Sequence, residues 1–182
     1  MRPLSEESPR SDPVLVAAYR SGDEGAATEL VQRHAAALGR FLYGVGAEPS
    51  DLDDLVQETF FKAFRALEGW RGDATFRSWL FRIGANLRKD WYRKDGRRVV
   101  VSIDDQELAD SSDPEGEAGA TEMERKLREG LGRLPRLQRE VFLLRAQQGL
   151  EYEEICAALG TTPGAARVHY HHAVRRLKEW MK

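Results

Sequence analysis

The stretch that decides the fold is YEEICAALGTTPGAARVHYHHAVRRLKEWM, residues 152–181. Tyr152 to Leu159 reads as a short helix. Gly160 supplies a C-terminal stop, Thr162 an N-cap and Pro163 the first residue of the next helix, which runs to about Met181. At 100° per residue, Ala166, Tyr170, Ala173, Val174, Leu177 and Met181 fall on one apolar stripe. Arg167, Val168, His171, His172, Arg175 and Lys178 point the other way. A short helix, a tight turn and a longer basic helix form a helix-turn-helix pattern, and an outward Arg/His face suits the DNA major groove.

Working outward, Leu127–Leu134 and Leu137–Gln147 read as two more helices, separated by Pro135 and followed by Gly149. Upstream lies SIDDQELADSSDPEGEAGA, residues 102–120, which has no aromatic residue. It cannot bury enough apolar surface to offset the entropy of ordering, so it reads as a flexible acidic linker spanning 99–120. Val14–Tyr19 and Ala26–Tyr43 read as helices. Pro49-Ser50 gives a turn and an N-cap for a helix carrying Leu52, Leu55, Val56, Phe60, Ala63, Phe64 and Leu67 on one face. After the loop Gly69–Asp73, another helix places Phe76, Trp79, Leu80, Ile83 and Leu87 together. The only strand-like run is Val99–Val101. The expected fold is therefore all-α: a disordered tail (1–11), a helical domain (12–98), the linker (99–120) and a C-terminal four-helix helix-turn-helix domain (121–182).

Charge is segregated along the 182 residues although the net is −2. Residues 1–70 hold seven basic and twelve acidic side chains, 71–98 nine and three, 99–120 none and seven, and 121–182 twelve and eight. Two basic blocks flanking an acidic connector suit two contacts with a polyanion. The first of these basic blocks contains FRSWLFRIGANLRKDWYRK, residues 76–94. Arg82, Asn86, Lys89 and Arg93 lie within about 60° of one another on a helical wheel. Interleaved cations and aromatics suit single-stranded nucleic acid, while Trp79 is better placed in the core. The polar face of residues 51–67 offers Asp54, Gln57, Glu58, Lys62 and Arg65, either as solvated surface or as a docking site for a partner helix.

Other classes are excluded or weakened. One cysteine, Cys156, rules out an internal disulfide framework and a multi-cysteine zinc site. No apolar run approaches the roughly 18 residues of a membrane span, and Met1–Pro13 has no hydrophobic signal core. A soluble, cytoplasmic protein is expected, without membrane insertion. His169 and His172 have metal-ligand spacing but no carboxylate or cysteine nearby. No phosphate loop, nucleophile motif or metal cluster supports an enzyme, and no cofactor or metal is expected.

Taken together, DLDDLVQETFFKAFRAL (51–67), the Trp70-Arg71-Gly72-Asp73 loop, residues 76–94 and LGRLPRLQREVFLLRAQQGLEYEEICAALGTTPGAARVHYHHAVRRL (131–177) resemble the extracytoplasmic-function (ECF) group of bacterial sigma factors. The resemblance covers residues 12–98 and 121–182. It implies a non-enzymatic initiation factor, monomeric when free, whose partners are core RNA polymerase, promoter DNA as duplex and melted strand, and an anti-sigma factor. Asp54, Gln57 and Glu58 would bind the clamp helices of the polymerase's largest subunit. Trp70, Arg71, Gly72, Asp73 and Phe76 would hold a flipped minus-ten base. Asn86, Lys89 and Arg93 would contact the upstream part of that element, with Arg82 on the same minus-ten face, and Arg167, Val168, His171, His172, Arg175 and Lys178 the minus-thirty-five groove. The linker would thread toward the RNA exit channel. The sequence departs from the family in three places. Ala165–His169 replaces a Thr-Val-Lys-Ser-Arg-type opening, His172 stands where Arg is common, and Glu151 replaces a small hydroxyl N-cap. The competing class is a dimeric helix-turn-helix regulator with an N-terminal dimerisation or sensing domain, acting without polymerase.

Overall fold

The computed structural model describes residues 10–94 and 121–182. The expected acidic linker, the Val99–Val101 run and residues 1–9 of the expected tail lie outside the described residues. Within them the chain forms eight α-helices and no strand. The helices are α1 (Asp12–Arg20), α2 (Glu24–Gly44), α3 (Leu52–Ala66), α4 (Phe76–Lys94), α5 (Glu122–Arg133), α6 (Arg136–Phe142), α7 (Tyr152–Leu159) and α8 (Pro163–Trp180).

The N-terminal module packs α1 on α2, and α3 and α4 on α2 and on each other. Leu30, Leu38, Phe41 and Leu42 of α2, Leu55 of α3 and Leu80 of α4 are buried between them. Burying each such side chain contributes about 1.5–3 kcal/mol against exposure, before chain entropy is counted. Asp23 caps α2 by accepting from the Ala26 N–H at 3.3 Å. Arg10, at the edge of the expected tail, pairs with Asp23 and Glu29, both at 2.9 Å. Ser50 is not the N-cap of α3. Pro49–Asp51 forms a turn of 3-10 helix instead, and α3 continues directly from it.

In the C-terminal module α5 starts five residues earlier than the hydrophobic pattern suggests, because Thr121 and Glu124 close a capping box. The expected helix over 137–147 divides into α6 and a π-type turn at Leu143–Gln147, which turns both Leu143 and Leu144 inward. The helix-turn-helix matches its sequence punctuation closely. Gly160 is left-handed (φ 67°), as a Gly C-cap allows, and the Thr162 hydroxyl accepts from the Ala165 N–H at 3.3 Å. At Glu151 the missing hydroxyl cap is offset from the other side, where the Glu154 carboxylate accepts from the Glu151 N–H at 3.0 Å.

The two modules share one hydrophobic cluster that runs from α1–α4 into α6, α7 and α8. Their seam lies chiefly between α4 and α7. There the Arg77 guanidinium donates to the Gln148 carbonyl at 2.7 Å, and the Thr75 hydroxyl donates to Glu154 at 3.0 Å. Gly44 ends α2 against Leu143: a Cβ at that position would lie 2.8 Å from a Leu143 methyl carbon.

Candidate nucleic-acid and polymerase interfaces

Three surfaces carry the residues singled out in the sequence. The first is α8. Its buried stripe, Ala166, Ala173 and Leu177, faces α5, α6 and α7, and Tyr170, Val174 and Met181 are half-buried beside it. Arg167, Val168, His171, His172, Arg175 and Lys178 are all exposed. Val168 is 53% exposed, unusual for an apolar residue, and offers a methyl contact of the kind that reads thymine. The Arg167 and Arg145 guanidinium groups lie over the Tyr152 ring at 5.0 and 5.1 Å, so Tyr152 steadies the root of α8. Arg175 pairs with Glu179 at 3.2 Å, an exposed contact that phosphate can displace at little cost.

The second surface is α4 and its preceding loop. The Thr75 hydroxyl accepts from the Ser78 N–H at 3.2 Å and so caps the helix. Arg82, Asn86, Lys89 and Arg93 are exposed, as expected, with Arg93 loosely paired to Asp90 at 3.4 Å. Arg71, Gly72 and Asp73 are exposed at the loop tip, where Gly72 takes a left-handed φ of 80°. Phe76 is a correction. It is 1% exposed and packs against His34, Trp70 and Trp79, so it supports the loop from within the core and cannot touch a base. Trp70 is half-buried, edge-on to Phe76, and its indole N–H is buried without an acceptor.

The loop has a brace that the sequence did not reveal. Arg20, at the end of α1, donates to the carbonyls of Leu67 and of Trp70, the latter at 2.6 Å. These bonds fix the turn that presents residues 70–73. They join residues 47 and 50 positions apart, so no local pattern announces them.

The third surface is α3. Asp54 and Gln57 are exposed. Glu58 is half-buried: the Trp91 indole N–H of α4 donates to its carboxylate at 2.9 Å, and Lys62 lies at 3.5 Å. Phe61, 59% exposed with Arg65 over its ring, sits on the same helix and escaped the sequence reading. One hydrogen bond therefore ties the acidic face of α3 to the far half of the basic helix.

Comparison with known proteins gives the family of the chain. Residues 30–98 match the model of sigma-70 region 2, and residues 124–177 that of sigma-70 region 4. The RNA polymerase sigma factor NccH of Alcaligenes xylosoxydans xylosoxydans is 36% identical over 174 residues, covering 93% of this chain and 94% of that protein. The ECF RNA polymerase sigma-E factor of Escherichia coli strain K12 is 35% identical over 172 residues, covering 86% and 87%. Among solved structures, CnrH in complex with the cytosolic domain of CnrY superposes with a TM-score of 0.72 at 31% identity, over 93% of this chain and 96% of that one. The chain belongs to the ECF group of RNA polymerase sigma factors. It is thus a transcription initiation factor, and a dimeric regulator with an N-terminal dimerisation or sensing domain, acting without polymerase, would leave the match of residues 30–98 to sigma-70 region 2 unexplained.

Proposed function

We propose that this sigma factor opens its promoter through α4 and reads the minus-thirty-five element through α8. The observation that carries the reading is one polar stripe on each helix, exposed along its length, with an apolar stripe buried opposite. Asp54, Gln57 and Glu58 dock core polymerase. Arg82, Asn86, Lys89 and Arg93 hold the upstream minus-ten strand, and the Trp70–Asp73 loop receives an unstacked base. Trapping that base costs a few kcal/mol, which polymerase contacts and phosphate neutralisation must offset. Arg167, Val168, His171, His172, Arg175 and Lys178 meet the minus-thirty-five groove. The protein acts in the cytoplasm, where its polymerase partner works. By likeness to CnrH, whose structure holds the cytosolic domain of CnrY, it is restrained by an anti-sigma factor.

In vitro transcription with core polymerase over a promoter library tests the reading. Asn86→Ala and Arg93→Ala should each impair open-complex formation while leaving polymerase binding intact. Unchanged transcription from the selected promoter in both variants refutes the minus-ten assignment.

A further inference from the structure

Between α4 and the α6–α7 pair lies a crevice of about 170 Å³. Asn86, Arg88 and Lys89 form one wall, and Arg136, Glu140 and Leu159 belong to the other. Its charge is out of balance. Three cations face a single carboxylate, and both oxygens of that carboxylate are already taken by Arg136, at 2.8 and 3.0 Å. A fourth cation, Arg139, stands behind the wall. It is 7% exposed and turned toward the carbonyls of Gly132 and Leu134.

Arg88 is the under-satisfied member. It donates to the Gly46 carbonyl at 3.1 Å, and its guanidinium lies over the Tyr92 ring, but its Nε–H is buried without an acceptor. The Arg139 Nε–H is likewise buried and unpaired. Burial, and then repulsion from Arg88, pushes Arg139 down to about 10, with Glu140 only partly opposing them. A buried guanidinium with an unmet donor favours an anion nearby. The crevice is larger than the roughly 30 Å³ share of one water. It is smaller than the roughly 300–1,000 Å³ of organic-ligand sites. A compact tetrahedral oxyanion fits that range, and a nucleotide does not.

We propose that this crevice binds one phosphate-type oxyanion, held by Arg88, Lys89 and Arg136 with the Asn86 amide beside it, and that the anion fastens the two modules to each other. Each wall supplies cations from a different module, so a bound anion contributes to closure what neither wall supplies alone. Asn86 and Lys89 are also assigned to the promoter strand, so the free ion and a DNA phosphate compete for the same donors.

Calorimetric titration of the full chain with inorganic phosphate, against chloride at matched ionic strength, tests the site. One saturable event is expected, with thermal stabilisation that chloride does not reproduce. Lys89→Gln, at an exposed position, should weaken binding at least tenfold, and Arg88→Met should abolish it if circular dichroism shows the fold intact. Lys126→Gln, which lies away from the crevice, should leave binding unchanged. A second arm uses an abasic single-stranded oligonucleotide. Displacement of bound phosphate by it supports the shared site. Binding of the oligonucleotide with no response to phosphate shows a DNA track only and overturns the proposal, as does a Lys89→Gln protein that binds phosphate normally.

Discussion

Glu58→Lys separates the structural bond of one carboxylate from its proposed docking role. Inside the protein it removes the acceptor of the Trp91 indole N–H, a 2.9 Å bond. A hydrogen bond to a charged group contributes about 1.5–3 kcal/mol. With the Glu58 side chain 36% exposed, the low end applies, about 1 kcal/mol after screening. The new ammonium also comes near Lys62, now 3.5 Å from the carboxylate, and repulsion at that range in water adds about 1 kcal/mol. The folded state should therefore lose about 2 kcal/mol, lowering Tm by about 4–8 °C for a chain of this size. Trp91→Phe should cost only the first part, about 2–4 °C. Binding to core polymerase follows a different scale. If the clamp helices take this carboxylate, reversing its charge at a desolvated contact costs about 2–5 kcal/mol, at least a thirtyfold rise in Kd. Trp91→Phe keeps the charge and should stay within about tenfold, or 1.4 kcal/mol, of wild type. Differential scanning calorimetry and fluorescence anisotropy with labelled protein give the two numbers. A Glu58→Lys protein with the expected Tm loss and an unaltered Kd would refute the docking role and leave only the structural one.

His171→Ala should change preference at one minus-thirty-five position in a binding-site selection; a uniform loss over all sequences would make His171 a phosphate contact. Arg20→Met should release the Leu67 and Trp70 carbonyls, cost about 1–3 kcal/mol in chemical denaturation, and slow open-complex formation without touching polymerase affinity. Asp12 links acidity to stability. Burial raises its pKa, but bonds to His34 and Arg33 outweigh burial and leave it below the ordinary value of 3.8. Its contribution is thus complete above that value and fades as pH falls through the lower folded pKa. Asp12→Asn should destabilise by about 1–2 kcal/mol at pH 7, and the gap should close in acid; a gap that persists at pH 2 would contradict the linkage.

Local chemistry was readable wherever its partners lie within a few residues. Gly160, Thr162 and Pro163 set the α7–α8 turn because stop, cap and helix start are all short-range effects. Thr121 and Glu124 carried the same kind of signal for α5, but the acidic composition around them hid it. Phe76 posed a visible conflict: it belongs both to the loop expected to grip a base and to the apolar stripe of α4, and the stripe prevails because a Phe at that register enters the core. Arg20, the Glu58–Trp91 bond and the seam depend on distant segments meeting, so no spacing could show them. The basic block over 71–98 misled in part for the same reason. Arg77 and Arg88 count toward its charge, yet both turn inward, one to Gln148 and the other to Gly46.

A Cβ at Gly44 would crowd the Leu143 methyl groups, which would have to shift. The fit is a matched pair written into opposite halves of the chain, so it constrains how halves can be traded. A hybrid joining this N-terminal module to another sigma factor's C-terminal module would need a compatible residue at the Leu143 position. Builders of orthogonal promoter systems should choose parts by that pair as well as by DNA preference.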